Sequence, residues 1–335
     1  MKMILKIISI VLMLISIVSA QSKVGTTAAN FLTIPEGSRA SGMGGAFVAV
    51  ANDVTAAFWN PAGLSRLANN EFNVSHAGWL VGTSLNWLGL VYKIDDDNAV
   101  AVSVNQLYYG SEDITTAMQP MGTGEQWDAQ DISIGLTYAR NLTDRFSIGG
   151  TFKYIQQRIW MESASSFALD LGLLFKTQYN GLRIGMNIAN FGTELKLAGE
   201  DLLIPADVDP AHTGNNKTIA ADLKTDSWPL PLMFTVGVGL DPIVTSDWKL
   251  TLATDAVYPN NQTAYLNLGT ELIWNNILSI RAGYNSLLKE DSEQSLTAGI
   301  GVQYDIGPFT AKFDYSYMKF GIFSQISRYS ISILF

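Results

Sequence analysis

From about residue 71 to its C-terminus the chain alternates apolar and polar positions with a period of two. Phe309, Ala311, Phe313, Tyr315 and Tyr317 interleave with Thr310, Lys312, Asp314 and Ser316. Leu182, Ile184, Met186 and Ile188 interleave with Arg183, Gly185, Asn187 and Ala189, and Leu296 to Tyr304 repeats the pattern. Successive side chains of a strand point to opposite faces, so this alternation predicts strands with one apolar and one polar face. Fourteen such segments lie near 71–80, 84–94, 98–109, 129–140, 145–158, 165–177, 181–190, 230–240, 247–257, 263–274, 277–284, 293–305, 309–319 and 327–335. Most are close to the ~9–11 residues that a tilted strand needs to cross a bilayer.

The connections divide into two kinds. Short turns follow the even strands: Asp95-Asp96-Asp97, Asn141 to Asp144, Tyr179-Asn180-Gly181, Asp241 to Ser246, Asn275-Asn276 and Ile306-Gly307-Pro308. Most longer connections follow odd strands, at 110–128, 191–229, 285–292 and 320–326, while those near 81–83 and 258–262 are short. An even-stranded outer-membrane barrel keeps its termini and tight turns on the periplasmic side and its long loops outside. A soluble β-sandwich, the competing all-β reading, gives no reason for that segregation.

The polar face carries Lys153, Asp170, Arg183, Lys249, Asp255, Glu271, Arg281, Lys312 and Asp314. An Arg or Lys facing hydrocarbon at the bilayer midplane costs ~2–4 kcal/mol, so these charges are expected in the lumen, where their mixed signs can pair. The apolar face then meets outer-membrane lipid. Trp79, Trp87, Tyr108, Tyr138, Trp160, Trp248, Tyr258, Trp274 and Tyr284 fall near strand ends, as the aromatic girdles of a barrel do. The last strand alternates Tyr329, Ile331, Ile333 and a terminal Phe335, which resembles the signal that the bacterial barrel-assembly machinery reads on its clients.

Composition supports export. Lys2 and Lys6, an apolar run from Ile7 to Val18, and small residues at Val18 and Ala20 form a secretory signal peptide over 1–20, with Gln21 next. The run is short for a transmembrane helix, and no later apolar run reaches 18 residues. Without Lys2 and Lys6, 19 basic residues face 30 acidic ones, a formal charge of −11 that does not suit nucleic-acid binding. The chain has no cysteine, so disulfides do not hold it together.

Between the signal and the strands, residues 21–70 read as a separate segment. Gly42-Met43-Gly44-Gly45 suggests a dinucleotide loop, but Phe47 replaces the third glycine and no strand precedes it. The small residues of Ser38 to Ala51 suit close packing against a wall, and Pro61 after Asn60 suits the first position of a short helix running to Leu67. Side chains alone do not fill a barrel of about fourteen strands. The segment is therefore expected to enter the periplasmic mouth as a plug, with an extension outside the barrel as the alternative. His76, beside Ser75, offers only a weak hydrolase pair. The acidic loop 191–229 shows no spaced calcium ligands. No cofactor or catalytic residue is assigned.

Ser38-Arg39-Ala40-Ser41-Gly42-Met43-Gly44-Gly45-Ala46, followed by Asn52-Asp53, Ala56-Ala57 and Trp59-Asn60-Pro61-Ala62-Gly63-Leu64, resembles the N-terminal signature of the PorV/PorQ family. That family is similar to FadL-type transporters, fourteen-stranded barrels with an N-terminal hatch. The resemblance implies an all-β, antiparallel up-and-down transmembrane barrel over 71–335. It also implies a hatch motif of Gly42, Gly44, Gly45, Asp53, Asn60, Pro61, Ala62 and Gly63. Asn52 departs from the second Asp common in the family, which weakens a metal or pairing role there. The resemblance further implies a non-enzymatic partner of secretion components or exported cargo in type IX secretion or cell-surface attachment. The FadL likeness implies, alternatively, a passive conduit for hydrophobic small ligands.

Overall fold

A computed structural model describes residues 24–335 except 180, 208, 210, 213–217, 290, 291 and 324; the expected signal peptide lies outside the described residues. Seven strands run in succession: β1 (Glu71–Gly78), β2 (Ser84–Lys93), β3 (Asn98–Asp113), β4 (Gln126–Thr143), β5 (Phe146–Ile159), β6 (Glu162–Lys176) and β7 (Arg183–Gly192). Five short strands follow: β8 (Leu195–Lys196), β9 (Ala198–Gly199), β10 (Leu203–Ala206), β11 (Ile219–Asp222) and β12 (Ser227–Trp228). Seven further long strands complete the chain: β13 (Met233–Val244), β14 (Trp248–Pro259), β15 (Tyr265–Trp274), β16 (Leu278–Leu287), β17 (Gln294–Ile306), β18 (Phe309–Phe320) and β19 (Gln325–Leu334). The fourteen long strands form one closed antiparallel barrel. β7 pairs with β13 across the long loop, and β1 closes on β19 from Glu71↔Leu334 to Ala77↔Arg328. Closure gives each of the fourteen long strands a paired neighbour on both sides, as the hydrocarbon interior requires.

Local chemistry sets the turns at one end. Asn275 and Asn276 both take positive φ (49° and 54°), the conformation of a tight hairpin between right-twisted strands. Asp95 accepts hydrogen bonds from the backbone N–H groups of Asp97 and Asn98. The Asn98 side chain donates to it as well, and these bonds hold the Asp95 carboxyl below the usual carboxylate range. At the other end, β5 and β6 join through only Trp160 and Met161, a third short connection after an odd strand. The β7–β13 connection folds back on itself. Its Leu195 and Leu230 are buried in an apolar cluster with Ala29, Phe31 and Leu32.

The outward stripe is apolar, as on β6, where Phe167, Leu169, Leu171, Leu173 and Phe175 all face out. Tyr138, Trp160, Trp248, Tyr258 and Trp274 are exposed on the outer surface, and Trp248 lies 6.2 Å from Trp274 at the turn end. Trp79 packs against Phe320 instead. Trp87 corrects the expected girdle: it is buried inside the barrel, in the apolar cluster with Val54, Ala57 and Leu64. β2 is apolar on both faces there, so the alternation by which sequence assigns a face is lost.

The N-terminal residues also differ from the expected placement at the periplasmic mouth. Ala28 N–H donates to the Pro229 carbonyl (3.0 Å), and Asn261 Nδ2 donates to Thr27 Oγ1 and Asn30 Oδ1 (2.7 and 2.9 Å), all at the long-loop end. At the turn end, Asn70 and Phe335 exchange backbone hydrogen bonds of 3.1 Å, and Arg66 donates to the Asp144 carbonyl. The chain therefore threads the lumen from the loop end to the turn end before β1 begins. The physical reason is filling: apolar and backbone groups along the whole segment find partners over the full height of the wide barrel.

Leu136→Arg, in the middle of the outward face of β4, is expected to lower stability by ~2–4 kcal/mol. Urea unfolding in lipid vesicles measures it.

Candidate functional site

The candidate site is the contact between the N-terminal segment and the inner wall. The segment has little regular structure: a 3₁₀ turn Asn30–Thr33, a five-residue helix Ser38–Gly42, a four-residue helix Ala56–Trp59 and a 3₁₀ turn Pro61–Arg66. Met43, Ala46, Phe47, Val54, Ala56 and Leu64 are completely buried. So much irregular backbone inside a barrel needs partners for its N–H and C=O groups, and the wall supplies them.

Asp255 on β14 accepts hydrogen bonds from the N–H groups of Phe47 and Val48 (2.8 and 2.9 Å). Asn267 and Asn285 donate to the carbonyls of Gly45 and Gly44. Thr297 donates to the Gly42 carbonyl. Asn60 donates to the carbonyls of Val48 and Leu173 and accepts from Ala62 N–H, which makes it the cap of the turn that Pro61 begins. Gly63 lies inside that turn against the Ala51 carbonyl.

Close approach depends on glycine from both sides. Gly44 has φ +66°, and a Cβ there would meet the Leu268 carbonyl at 2.6 Å and Tyr284 N at 2.7 Å. The wall answers with Gly149, Gly185, Gly269 and Gly283, where an added Cβ would run into the backbone of Pro61–Ala62, Val48, Met43 and Gly44. These four inward-facing glycines are thus docking positions for the segment.

The ion pairs among the lumen charges form three groups. In the first, Arg39 of the segment donates from Nε and Nη2 to both oxygens of Glu271 (2.8 and 2.7 Å). Its Nη1 reaches Asn52 Oδ1 (2.7 Å) and Asp53 Oδ2 (3.0 Å). Arg281 bridges Glu271 (2.7 Å) and Asp314 (2.6 Å). Asn52 therefore keeps a pairing role in place of the second Asp, its amide oxygen accepting where a carboxylate would. Lys312 lines the same cavity, of about 160 Å³, together with Glu71 and Asp314. In the second group Lys153 pairs with Asp170 and donates to Asn190, whose N–H returns to Asp170. In the third, Arg183 and Lys249 pair with Asp241, a partner outside the nine sequence candidates, at 2.7 and 3.6 Å.

Two further residues escaped the sequence reading. Arg328 on β19 donates to Glu36 of the segment (3.0 Å), and both side chains are sealed from solvent. Two residues along, Ser330 accepts from Ser38 N–H and shares a hydrogen bond with its hydroxyl. Arg328 has the inward parity that selected the other charges, because Tyr329, Ile331, Ile333 and Phe335 are the outward set of that strand. Parity alone would have found it.

His76 and Ser75 do not come together. Ser75 is buried facing the lumen, while His76 is exposed on the outer wall with Nδ1 2.7 Å from Asn86 Oδ1. Neighbours on a strand point to opposite faces, which removes the hydrolase pair. Among the described residues, no group of three His, Asp or Glu side chains is arranged to hold a metal ion.

Arg39→Ala removes one of the two guanidinium partners of Glu271 and the ion-pair partner of Asp53, and is expected to cost about 3 kcal/mol. Arg39→Lys loses the two-pronged geometry and is expected to recover only part of it. Unfolding of the two variants in vesicles separates these outcomes.

The fold recurs in solved outer-membrane structures. The CymD monoaromatic hydrocarbon channel superimposes with a TM-score of 0.58 at 13% identity, covering 89% of this chain and 96% of that one. The Ralstonia pickettii toluene transporter TbuX gives 0.55 at 13%, covering 89% and 97%. A Pseudomonas aeruginosa FadL homologue gives 0.52 at 14%, covering 94% and 99%. At such identities the likeness shows the fold. No curated protein sequence matches the chain. Residues 17–212, more than half of the chain and including the whole lumen segment, match the family described as type IX secretion system protein PorV; the chain belongs to the PorV family.

Proposed function

We propose that the protein is a non-enzymatic outer-membrane component of type IX secretion, exported through its signal peptide and acting as a partner of the secretion machinery or its cargo. The observation that carries the reading is the anchorage of the N-terminal segment. Wall hydrogen bonds, paired glycines and buried ion pairs on several strands hold it across the lumen. A barrel that spends so many specific contacts on its own interior is suited to present surfaces rather than to pass solutes. In this reading the segment is a plug, the last strand with Tyr329, Ile331, Ile333 and Phe335 serves recognition by the barrel-assembly machinery, and the long-loop face meets secreted protein.

A conduit for hydrophobic small molecules is the second reading. It is favoured by a lumen cavity lined by Phe58, Trp59, Met233, Val257 and Tyr265. The mixed charges of the lumen weigh against a greasy path through the whole barrel.

Deleting the gene is expected to leave type IX cargo unsecreted and absent from the cell surface, as read by surface proteolysis and mass spectrometry of the medium. Unchanged display together with lost uptake of a hydrophobic compound would favour the conduit. Deleting Ala40 to Leu64 is expected to leave an insertable barrel with raised single-channel conductance. Unchanged conductance would mean that the segment does not occlude the lumen.

A further inference from the structure

At the long-loop end the lumen opens into a cavity of about 510 Å³. The N-terminal segment contributes Asn30 and Phe31 to its wall. The barrel contributes Trp79 just past β1, Tyr109 on β3, Asp131 on β4 and Gln157 on β5. Among the described residues that line it, Asp131 alone is charged.

Asp131 is only 4% exposed, and its partners are neutral. Tyr109 donates its hydroxyl to Oδ2 (2.8 Å), and Gln157 donates Nε2 to the same oxygen (2.9 Å). Gln157 is itself held by the Ala29 N–H, which donates to its Oε1 (3.0 Å), so seating of the segment fixes the carboxylate. Both hydrogen bonds from described residues fall on Oδ2, which leaves Oδ1 to the cavity. The adjoining cation, Arg158, pairs with Asp128 instead (2.6 Å). A carboxylate withdrawn from water calls for a positive charge beside it, and the described residues supply none there.

The single free oxygen narrows the choice of cation. A guanidinium grips a carboxylate through two parallel hydrogen bonds and needs both oxygens, but Oδ2 already has two donors. A divalent metal ion needs several oxygen ligands, and among the described residues no cluster of acidic side chains is arranged for one. An ammonium is a compact charge for which one strong acceptor suffices, and the Trp79 and Tyr109 rings in the wall suit it too. The surroundings draw such a group from a distance. Residues 110–128, 191–229 and 285–292, the long connections at this end, hold 13 Asp and Glu against four Lys and no Arg. A field of one sign around a cleft raises the local concentration of the opposite charge.

We infer that this cavity is a binding site for a primary ammonium carried on an alkyl chain, with Asp131 Oδ1 as its anchor. The lysine side chain of an exported protein brings that group, a source that rests on the secretion reading above; a free diamine brings the same group.

The test uses the purified full-length barrel in lipid nanodiscs, with binding read by calorimetry. The probes are cadaverine and a lysine blocked at both backbone ends, compared with its side-chain-acetylated form and with the equally blocked arginine. Cadaverine and the lysine probe are expected to bind, and the acetylated and arginine probes to bind about tenfold or more weaker, the effect of one charge-assisted hydrogen bond. Asp131→Asn keeps the shape of the site and is expected to weaken the lysine probe equally while the barrel stays heat-modifiable. Glu125→Gln, elsewhere on the acidic face, is expected to leave affinity unchanged. Equal affinity for the lysine and arginine probes, undiminished binding of the acetylated probe, or equal weakening by Asp131→Asn and Glu125→Gln would each overturn the inference. The comparisons on the unsubstituted protein decide it even where Asp131→Asn does not fold. In cells, lowered cargo display by a folded Asp131→Asn barrel identifies lysine on an exported protein as the source, and full display with lost binding identifies the free diamine. Failure of gene deletion to affect display would instead overturn the secretion reading and leave the binding result standing.

Discussion

The guanidinium of Arg39 sits among two carboxylates and an amide in the interior of the barrel, and much of the architecture follows from keeping it satisfied. Its two-pronged contact with Glu271 ties the N-terminal segment to β15, and its third nitrogen ties the segment to itself through Asn52 and Asp53. Glu271 is closed off from solvent and shared with Arg281, which passes the charge on to Asp314. Alternating signs let three strands and the segment hold a chain of charges where none would be tolerable alone. Breaking the chain at one link leaves a buried charge unpaired, so the segment and the wall are specified together.

The same logic explains why the lumen-facing side of the strands is rich in glycine and short polar residues. A wide barrel cannot be filled by its own side chains. Here irregular backbone fills much of it, and backbone brings hydrogen-bonding groups that must be met. Glycines on β5, β7, β15 and β16 let the segment approach, and Asp255, Asn267, Asn285 and Thr297 meet its N–H and C=O groups. The last strand belongs to this frame through Arg328 and Ser330. Closure of the barrel between β1 and β19 is thereby coupled to the seating of the segment.

Much of this was legible in the sequence because a barrel wall in lipid enforces strict alternation. Strand number, the segregation of turns from loops and the inward placement of charges such as Lys153, Asp170, Glu271 and Arg281 all follow from that rule. Alternation fails where the segment is apolar: Trp87, Leu85 and Val91 on β2 face inward against it, so both faces of that strand read alike. Pairing partners were not legible either. That Arg183 and Lys249 choose Asp241, or that Asp255 caps Phe47 and Val48, depends on register across strands distant in sequence. The direction of the segment was missed for a related reason. Termini of barrels are expected at the turn side, but residues 24–34 have their partners on the long-loop side, in Pro229, Asn261 and Gln157.

That threading is the central claim, and labelling from the two sides of the membrane tests it most directly. Val24 is 73% exposed at the long-loop end, whereas Asp96 lies in the β2–β3 turn at the opposite end. In the cysteine-free chain, Val24→Cys is expected to react with a membrane-impermeant maleimide on intact cells, and Asp96→Cys only after the outer membrane is opened. Val24→Cys that stays unreactive until the outer membrane is opened, and then reacts as Asp96→Cys does, would place the N-terminal residues on the periplasmic side and contradict the account.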